Sequence, residues 1–470
     1  MDVSILAIGK AMQDAAGEVE LRDEEGGIRS EFLHAVAEAL EAADAAKVRE
    51  LALPLHAADL ADLIELLRAE QRGALIATLG PDFDAAALPE LDEAVRDQVL
   101  EVMPPEQVAA ALQKLDSDEA VYVIEDLDKE EQSDILAKLP PFERAQLERS
   151  LEYPEDSAGR IMQTDLIAVP PFWSVGQAID YMRVADDLPD RFYEIFVVDP
   201  AYHLIGSVAL NRLLRSKRPV TIEAITDRDI HPIPVDADQE EVARQFERFN
   251  LTSAPVVDAD ERLVGVITAD DVVEVVQEEA SEDILKMGGV GGESVTDSVW
   301  RTTRHRFTWL LVNLGTALLA ASVIRLFAAT IEQMVALAVL MPIVASMGGN
   351  AGNQTMTVTV RALAMRDLGA ANAYRVIGRE TMVGLLNGLV FAVLLGTIVY
   401  FWFGNDELGM VIAAAMIVNF LVAALAGILI PLMLDHLGID PAVASTVFVT
   451  TITDVVGFFA FLGLAALWLV

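Results

Sequence analysis

The sequence contains no cysteine. Disulfides, thiolate metal sites and cysteine nucleophiles are therefore excluded. Histidine is scarce: six residues, at positions 34, 56, 203, 231, 305 and 436, with no pair four apart. That scatter offers no ready zinc or copper site. Bases are outnumbered too, with 33 Lys plus Arg against 73 Asp plus Glu, a formal net charge of −40. Such a surface repels nucleic acid and anionic headgroups and attracts cations. No P-loop and no nucleophile–base pair occurs, so an enzyme is not expected. The N-terminus has no long apolar core behind a basic start, so no cleavable leader is expected.

What is present is unevenly placed. Residues 301–470 hold eight Arg, no Lys and eight Asp plus Glu, and so net zero. The whole negative charge falls on residues 1–300. Five apolar runs, at about 307–329, 334–362, 380–403, 409–434 and 442–468, make 301–470 a membrane domain of five expected spans. Arg clusters at 300–306 and 361–379 mark cytoplasmic ends, whereas "FGNDELG" (403–409) is purely acidic and is expected outside. The N-terminal half is then cytoplasmic and the C-terminus outside, in a multi-pass protein of the cell (inner) membrane.

Two spans carry polar groups. "GGNAGN" (348–353) is expected to interrupt the second span, either as a helix-packing patch or as a pore wall with Asn350 facing water. In the fifth span Thr450, Thr451, Asp454 and Gly457 fall on one helix face. A carboxylate at mid-span costs roughly 2.5 to 3.5 kcal/mol on insertion scales. No Lys or His lies in the spans to pair with it, and Arg325 lies near the outer end of the first span. A carboxylate with hydroxyl and water oxygens suits a hard cation such as Mg²⁺, and Asp454 is the candidate pore ligand.

After an extension at 1–29, residues 30–157 read as short amphipathic helices, an all-α superhelical N domain. Residues 158–278 are α+β and repeat themselves, "AVPP…FVVD…LIGSV" matching "PIPV…PVVD…LVGVI". The pattern resembles a tandem pair of CBS modules, at 158–219 and 220–278, a family that often holds an adenine nucleotide. The resemblance implies a site built on Thr268 and Asp271 with Ala254 and Pro255. The first copy has Ala209 and Arg212 in place of the Thr and Asp. A long acidic connecting helix, 270–300, follows. Between 270 and 283 it has seven carboxylates and no base. Asp271, Glu274, Glu278 and Glu282 would share one face, with Glu279 and Asp283 beside them. Two readings stand: a solvated linker, or a helix that binds divalent cations against Asp116, Asp118 and Glu119 of "LDSDEA" and against Asp440.

"LEYPEDSAGRIMQTD", "SEDILKMGG", "PIVASMGGNAGNQ" and "TDVVGF", in this order, resemble the MgtE family of magnesium channels and transporters, over about residues 30–470. The resemblance implies a homodimeric, Mg²⁺-gated Mg²⁺ channel of the lipid bilayer. Asp454 would be its pore carboxylate. Asp271, Glu279, Glu282 and Asp283 would match acidic positions of a plug helix, Glu274 would stand where Asp is commoner, and Asp440 would share an ion with that helix. ATP is the regulatory ligand that the resemblance allows. A proton-coupled divalent transporter and a non-transporting Mg²⁺ and nucleotide sensor remain alternatives.

Overall fold

The computed structural model describes residues 21–23, 26–185, 188–189, 191–291, 299–369, 371–443 and 445–469. Most of the 1–29 extension and the end of the expected connecting helix, 292–298, lie outside the described residues. The chain divides into two compact units, Met1–Glu278 and Glu279–Val470.

The first unit begins with short helices: α1 (Ser30–Glu41), α2 (Ala45–Ala52), α3 (Ala57–Leu66), α4 (Ala69–Leu79), α5 (Glu93–Val102), α6 (Pro105–Leu112), α7 (Ser117–Ile124), α8 (Lys129–Leu136) and α9 (Pro141–Leu151). Most are amphipathic, and Val36, Leu63, Ile64, Leu75, Val95 and Ile124 are fully buried in one shared core. Aspartates stop the chain between helices by capping. Asp128 accepts from the amides of Glu130 and Glu131, both at 3.0 Å.

Two αβ repeats follow. Strand β1 (Ala168–Val169) leads to α10 (Val175–Val184), β2 (Glu194–Val198), β3 (Leu204–Ala209), α11 (Leu210–Arg215) and α12 (Ile222–Ile225). The second copy has β4 (Ile233–Pro234), α13 (Gln239–Phe249), β5 (Ser253–Val257) and β6 (Leu263–Thr268). In both sheets the first pair is parallel and the second antiparallel. Both carry a register shift at one matching place, Val197/Val198 and Val256/Val257. Glu194 pairs Ala209 as Ser253 pairs Thr268, so Ala209 stands where the second copy has its threonine. Phe196, Val198, Leu263 and Val266 form the seam between the copies.

Helix α14 (Ala269–Met287) comes next. The expected helix to residue 300 is too long. Gly289 adopts a left-handed φ of 69°, and the Val290 amide bonds back to the Leu285 carbonyl at 3.0 Å. That is a C-terminal cap, made possible by a residue without Cβ.

The second unit holds α15 (Val299–Leu326), the short α16 (Ala328–Gln333), α17 (Ala336–Ala364), α18 (Ala373–Phe403), α19 (Asp406–His436) and α20 (Ser445–Trp468). Among the described residues α15, α18, α19 and α20 are long and apolar enough to cross a membrane. Helix α17 is not interrupted, contrary to expectation: "GGNAGN" is continuous helix within its 29 residues. At 1.5 Å per residue it is about 43 Å long, enough for a bilayer. Its glycines serve packing. A Cβ on Gly352 would stand 2.5 Å from Val449 of α20, and one on Gly427 of α19 would stand 2.6 Å from the Gly352 carbonyl oxygen. Gly384 brings α18 as close to α19, at 2.5 Å from Ala424, and Gly388 and Gly396 follow at 3.1 and 3.0 Å.

Candidate metal centre

Three places hold the residues singled out by the sequence. The first is a cavity of about 300 Å³ in the first unit, lined by nine Asp or Glu residues and only two Arg. The N-terminal end of α7 supplies Asp116, Asp118 and Glu119, and the first half of α14 supplies Asp271, Glu274 and Glu278. Of the two bases, Arg160 is engaged with Glu125 at 3.1 Å and with the Leu151 and Tyr153 carbonyls. Asp118 and Asp271 both accept from Gln163 Nε2–H, at 3.4 and 3.5 Å. Asp118 Oδ1 is sealed from solvent and has no hydrogen-bond partner. A buried carboxylate oxygen without a donor, among other acids, fits a divalent cation.

The electrostatics agree. Burial pushes the Asp118 carboxyl well above the usual carboxylate range, and the charges of Asp271 and Asp116 add to it. Burial raises Asp271 as well, against the hydrogen bonds from Thr268. Glu274 is pushed up to about 7, by desolvation first and then by the charges of Asp271, Glu90 and Glu278. These groups resist ionising together in the ion-free protein. Among the described residues no three carboxylate or histidine groups converge into a ready-made metal cage. The acids line walls that an ion would have to draw in.

The second place lies in the second unit, where the last turns of α14 meet the 437–443 loop. Asp283 is raised by burial and then by the charge of Asp440. Lys286, which the sequence reading passed over, stands among the acids: its Nζ lies 2.6 Å from Glu282 and 2.8 Å from Asp440. Burial works against its charge, but the hydrogen bonds to Asp440 and Glu282 outweigh this and raise its pKa. The i,i+4 spacing of Glu282 and Lys286 was the available signal. Glu279 belongs to the same stretch of α14.

The third place is the face of α20. Asp454 is half-buried and makes no hydrogen bond or ion pair among the described residues, and Arg325 does not reach it. The Thr450 and Thr451 hydroxyls donate to the Thr446 and Val447 carbonyls at 2.8 and 2.6 Å. Thr450 lies against Gly349, next to exposed Asn350 of α17. Gly457 is a correction. It is buried against Asn419 of α19, 3.0 Å from where its Cβ would be, and so closes a helix crossing and does not line a path. Asn419 itself escaped the sequence reading. It is fully buried, its Nδ2–H donates to the Val344 carbonyl at 2.8 Å, and Gly348 and Gly457 both pack on it. A lone Asn in the most apolar span was the signal.

The four residues expected to bind nucleotide do not share a cavity. Thr268 and Asp271 bond to each other at 2.7 Å and face the acidic cavity. Pro255 lines a different cavity, beside Arg212 and Glu194. Ala254 is buried in the core of the second repeat. Pro255 is itself buried, as is every residue of β5, so only its edge reaches that cavity.

Family models agree with this layout. The model described as a divalent cation transporter matches residues 341–464, the MgtE intracellular N domain matches 55–156, and the CBS domain matches 158–218 and 222–278. The chain is 32% identical over 327 residues to a protein named magnesium transporter MgtE from Enterococcus faecalis, covering 70% of this chain and 72% of the relative. It is 36% identical over 332 residues to one of that name from Thermus thermophilus, covering 69% and 73%. A solved structure described as the cytosolic domain of the Mg²⁺ channel MgtE in complex with ATP is 30% identical, with a TM-score of 0.47, covering 52% of this chain and 99% of that one.

Proposed function

Because the chain belongs to the MgtE family of divalent cation transporters, we propose that it is a Mg²⁺-selective channel for uptake, closed from the cytoplasmic side by Mg²⁺ itself. The observation that carries this is Asp454, an acid with no partner among the described residues on a membrane-length apolar helix. Its carboxylate, with the oxygens of Thr450, Thr451 and Asn350, would hold a hydrated divalent ion, the transported substrate. No hydrolytic step is needed, because the negative-inside potential draws the ion inward.

Closure follows from the acids of the first unit and of α14. Two unit charges 4 Å apart repel by about 1 kcal/mol in water and about 4 kcal/mol at an effective dielectric near 20. Shifting a gate from 1:99 to 99:1 takes about 5.5 kcal/mol of differential binding. A few ions bridging Asp118 to Asp271 and Glu274, and Glu282 or Asp283 to Asp440, supply that. At low internal Mg²⁺ the acids of α7 and of the first half of α14 separate and the pore opens. ATP enters this reading as a regulatory ligand of the repeat domain. The chain acts as a homodimer with five spans, its N-terminal units cytoplasmic and its C-terminus outside.

The test is Mg²⁺ uptake in a cell lacking its own Mg²⁺ transporters, with currents recorded in a planar bilayer. Asp454→Asn is expected to abolish uptake while the protein still reaches the membrane. Wild-type uptake of which Asp454→Asn takes nothing away would sink the pore assignment. Transport without unitary conductance, but with proton counterflow, would instead establish a coupled transporter.

A further inference from the structure

The Glu282–Asp440 pair already has a cation, supplied by the chain. Lys286 Nζ touches both carboxylates, at 2.6 and 2.8 Å, with its side chain about one quarter exposed. Asp283 lies beside it and feels the charge of Asp440. Asp440 Oδ1 is spent on the Ala442 amide at 2.8 Å, which leaves Oδ2, the atom Lys286 holds, facing α14. One carbonyl further on, Met287 O accepts from the Thr446 hydroxyl at 3.0 Å and the Met287 side chain packs against the cluster that includes Met356, Ala442 and Val449. The last turn of α14 is thus fixed to the loop and to α20 by the chain's own side chains.

We infer that Lys286 is a tethered competitor for the divalent ion at this place: its ammonium neutralises Glu282 and Asp440 when Mg²⁺ is scarce, and Mg²⁺ must displace it to bind. This rests on the regulatory reading above. A lysine suits the task. It is a compact point charge on a flexible stem and can swing aside, whereas the planar fork of an arginine would hold a carboxylate more rigidly. The consequence is a threshold. Any free energy that Lys286 gives to the ion-free arrangement is subtracted from the apparent affinity for Mg²⁺, by linkage. Lysine and ion also differ in valence. One ammonium leaves the Glu282, Asp283 and Asp440 group with a net negative charge, and a divalent ion removes more of it.

The sign of the effect separates this role from simple support. A lysine that merely braces the docked helix would, when removed, weaken Mg²⁺ binding. A competitor, when removed, strengthens it. The experiment uses the full-length chain in detergent, with magnesium chloride as the probe and two readouts. One is hydrogen exchange across Ala269–Met287, and the other is amine labelling at Lys286 followed by mass spectrometry. Mg²⁺ is expected to raise Lys286 labelling several-fold as the ammonium is released. Lys286→Gln is expected to lower the half-saturating Mg²⁺ concentration for exchange protection by about two- to five-fold, the size of a partly exposed ion pair, and Lys286→Arg to leave it near wild type or higher. Labelling that is unchanged or reduced by Mg²⁺, or a midpoint that is unmoved or raised in Lys286→Gln, overturns the inference. If wild-type exchange itself ignores Mg²⁺, the regulatory reading falls with it, and the two failures are told apart by that readout.

Discussion

At the scale of single residues, Glu274 makes the cavity sensitive to pH. Its carboxyl is held at about 7, above the ordinary value of 4.5, so the ion-free fold favours its protonated form. The contribution is fully present below about 4.5 and is lost as pH rises through about 7. Without divalent ions, amide exchange in the first half of α14, corrected for intrinsic rates, should quicken between about pH 4.5 and pH 7 and level off above that. Added Mg²⁺ or Glu274→Gln should flatten that change, and an equally steep profile in Glu274→Gln would assign the effect elsewhere. Asn419 works by geometry. Its bond to the Val344 carbonyl ties α19 to α17, and Gly348 and Gly457 close on its side chain. Asn419→Ala should cost about 0.6 to 1.7 kcal/mol in detergent unfolding, the range for interhelical bonds in membranes. A lone Asn in an apolar span was visible in the sequence, but its partner, the Val344 carbonyl, was not. The raised Glu274 depends first on burial and then on Asp271 and Glu90, and no spacing rule brings Glu90 near α14.

At the scale of elements, the reading succeeded where periodicity is strong and failed where glycine decides. The two αβ copies were legible because hydrophobic alternation and turn residues recur together, and the matching register shifts follow from that repetition. The interruption expected at "GGNAGN" did not occur. Glycine is a poor helix former in water, by about 1 kcal/mol per residue, but neighbouring helices repay this when they need the space. Helix α17 uses Gly348 and Gly352 in that way. Gly427→Ala should therefore force α17 and α19 apart, at a cost of about 1 to 3 kcal/mol. Gly378→Ala, in open space on α18, should be neutral or mildly stabilising. Thermal inactivation of Mg²⁺ uptake compares the two. Equal losses would show that the close approach is not what matters. The overlong α14 failed for the related reason that helix-forming charge continues past a glycine whose backbone has already turned.

At the scale of the whole molecule, the two compact units should melt separately. Calorimetry of the full chain is expected to give two transitions. Mg²⁺ should raise the one belonging to the first unit, by about 2.7 kcal/mol at a hundred times the dissociation constant. A single transition that ignores Mg²⁺ would count against bridging in the acidic cavity. The halves should also differ in how they break. The helical core of the first unit is filled by Leu, Ile and Val side chains, so it is harmed by truncation. In the second unit backbones meet directly. Gly396 and Gly409 face each other, each carbonyl 3.0 Å or less from where the other's Cβ would be, and Gly352 meets Gly427. At such positions nothing can be removed, and every mutation adds atoms. At these crossings the membrane half is therefore fragile to enlargement, and its tolerated variants will be read in the gaps it refuses to fill.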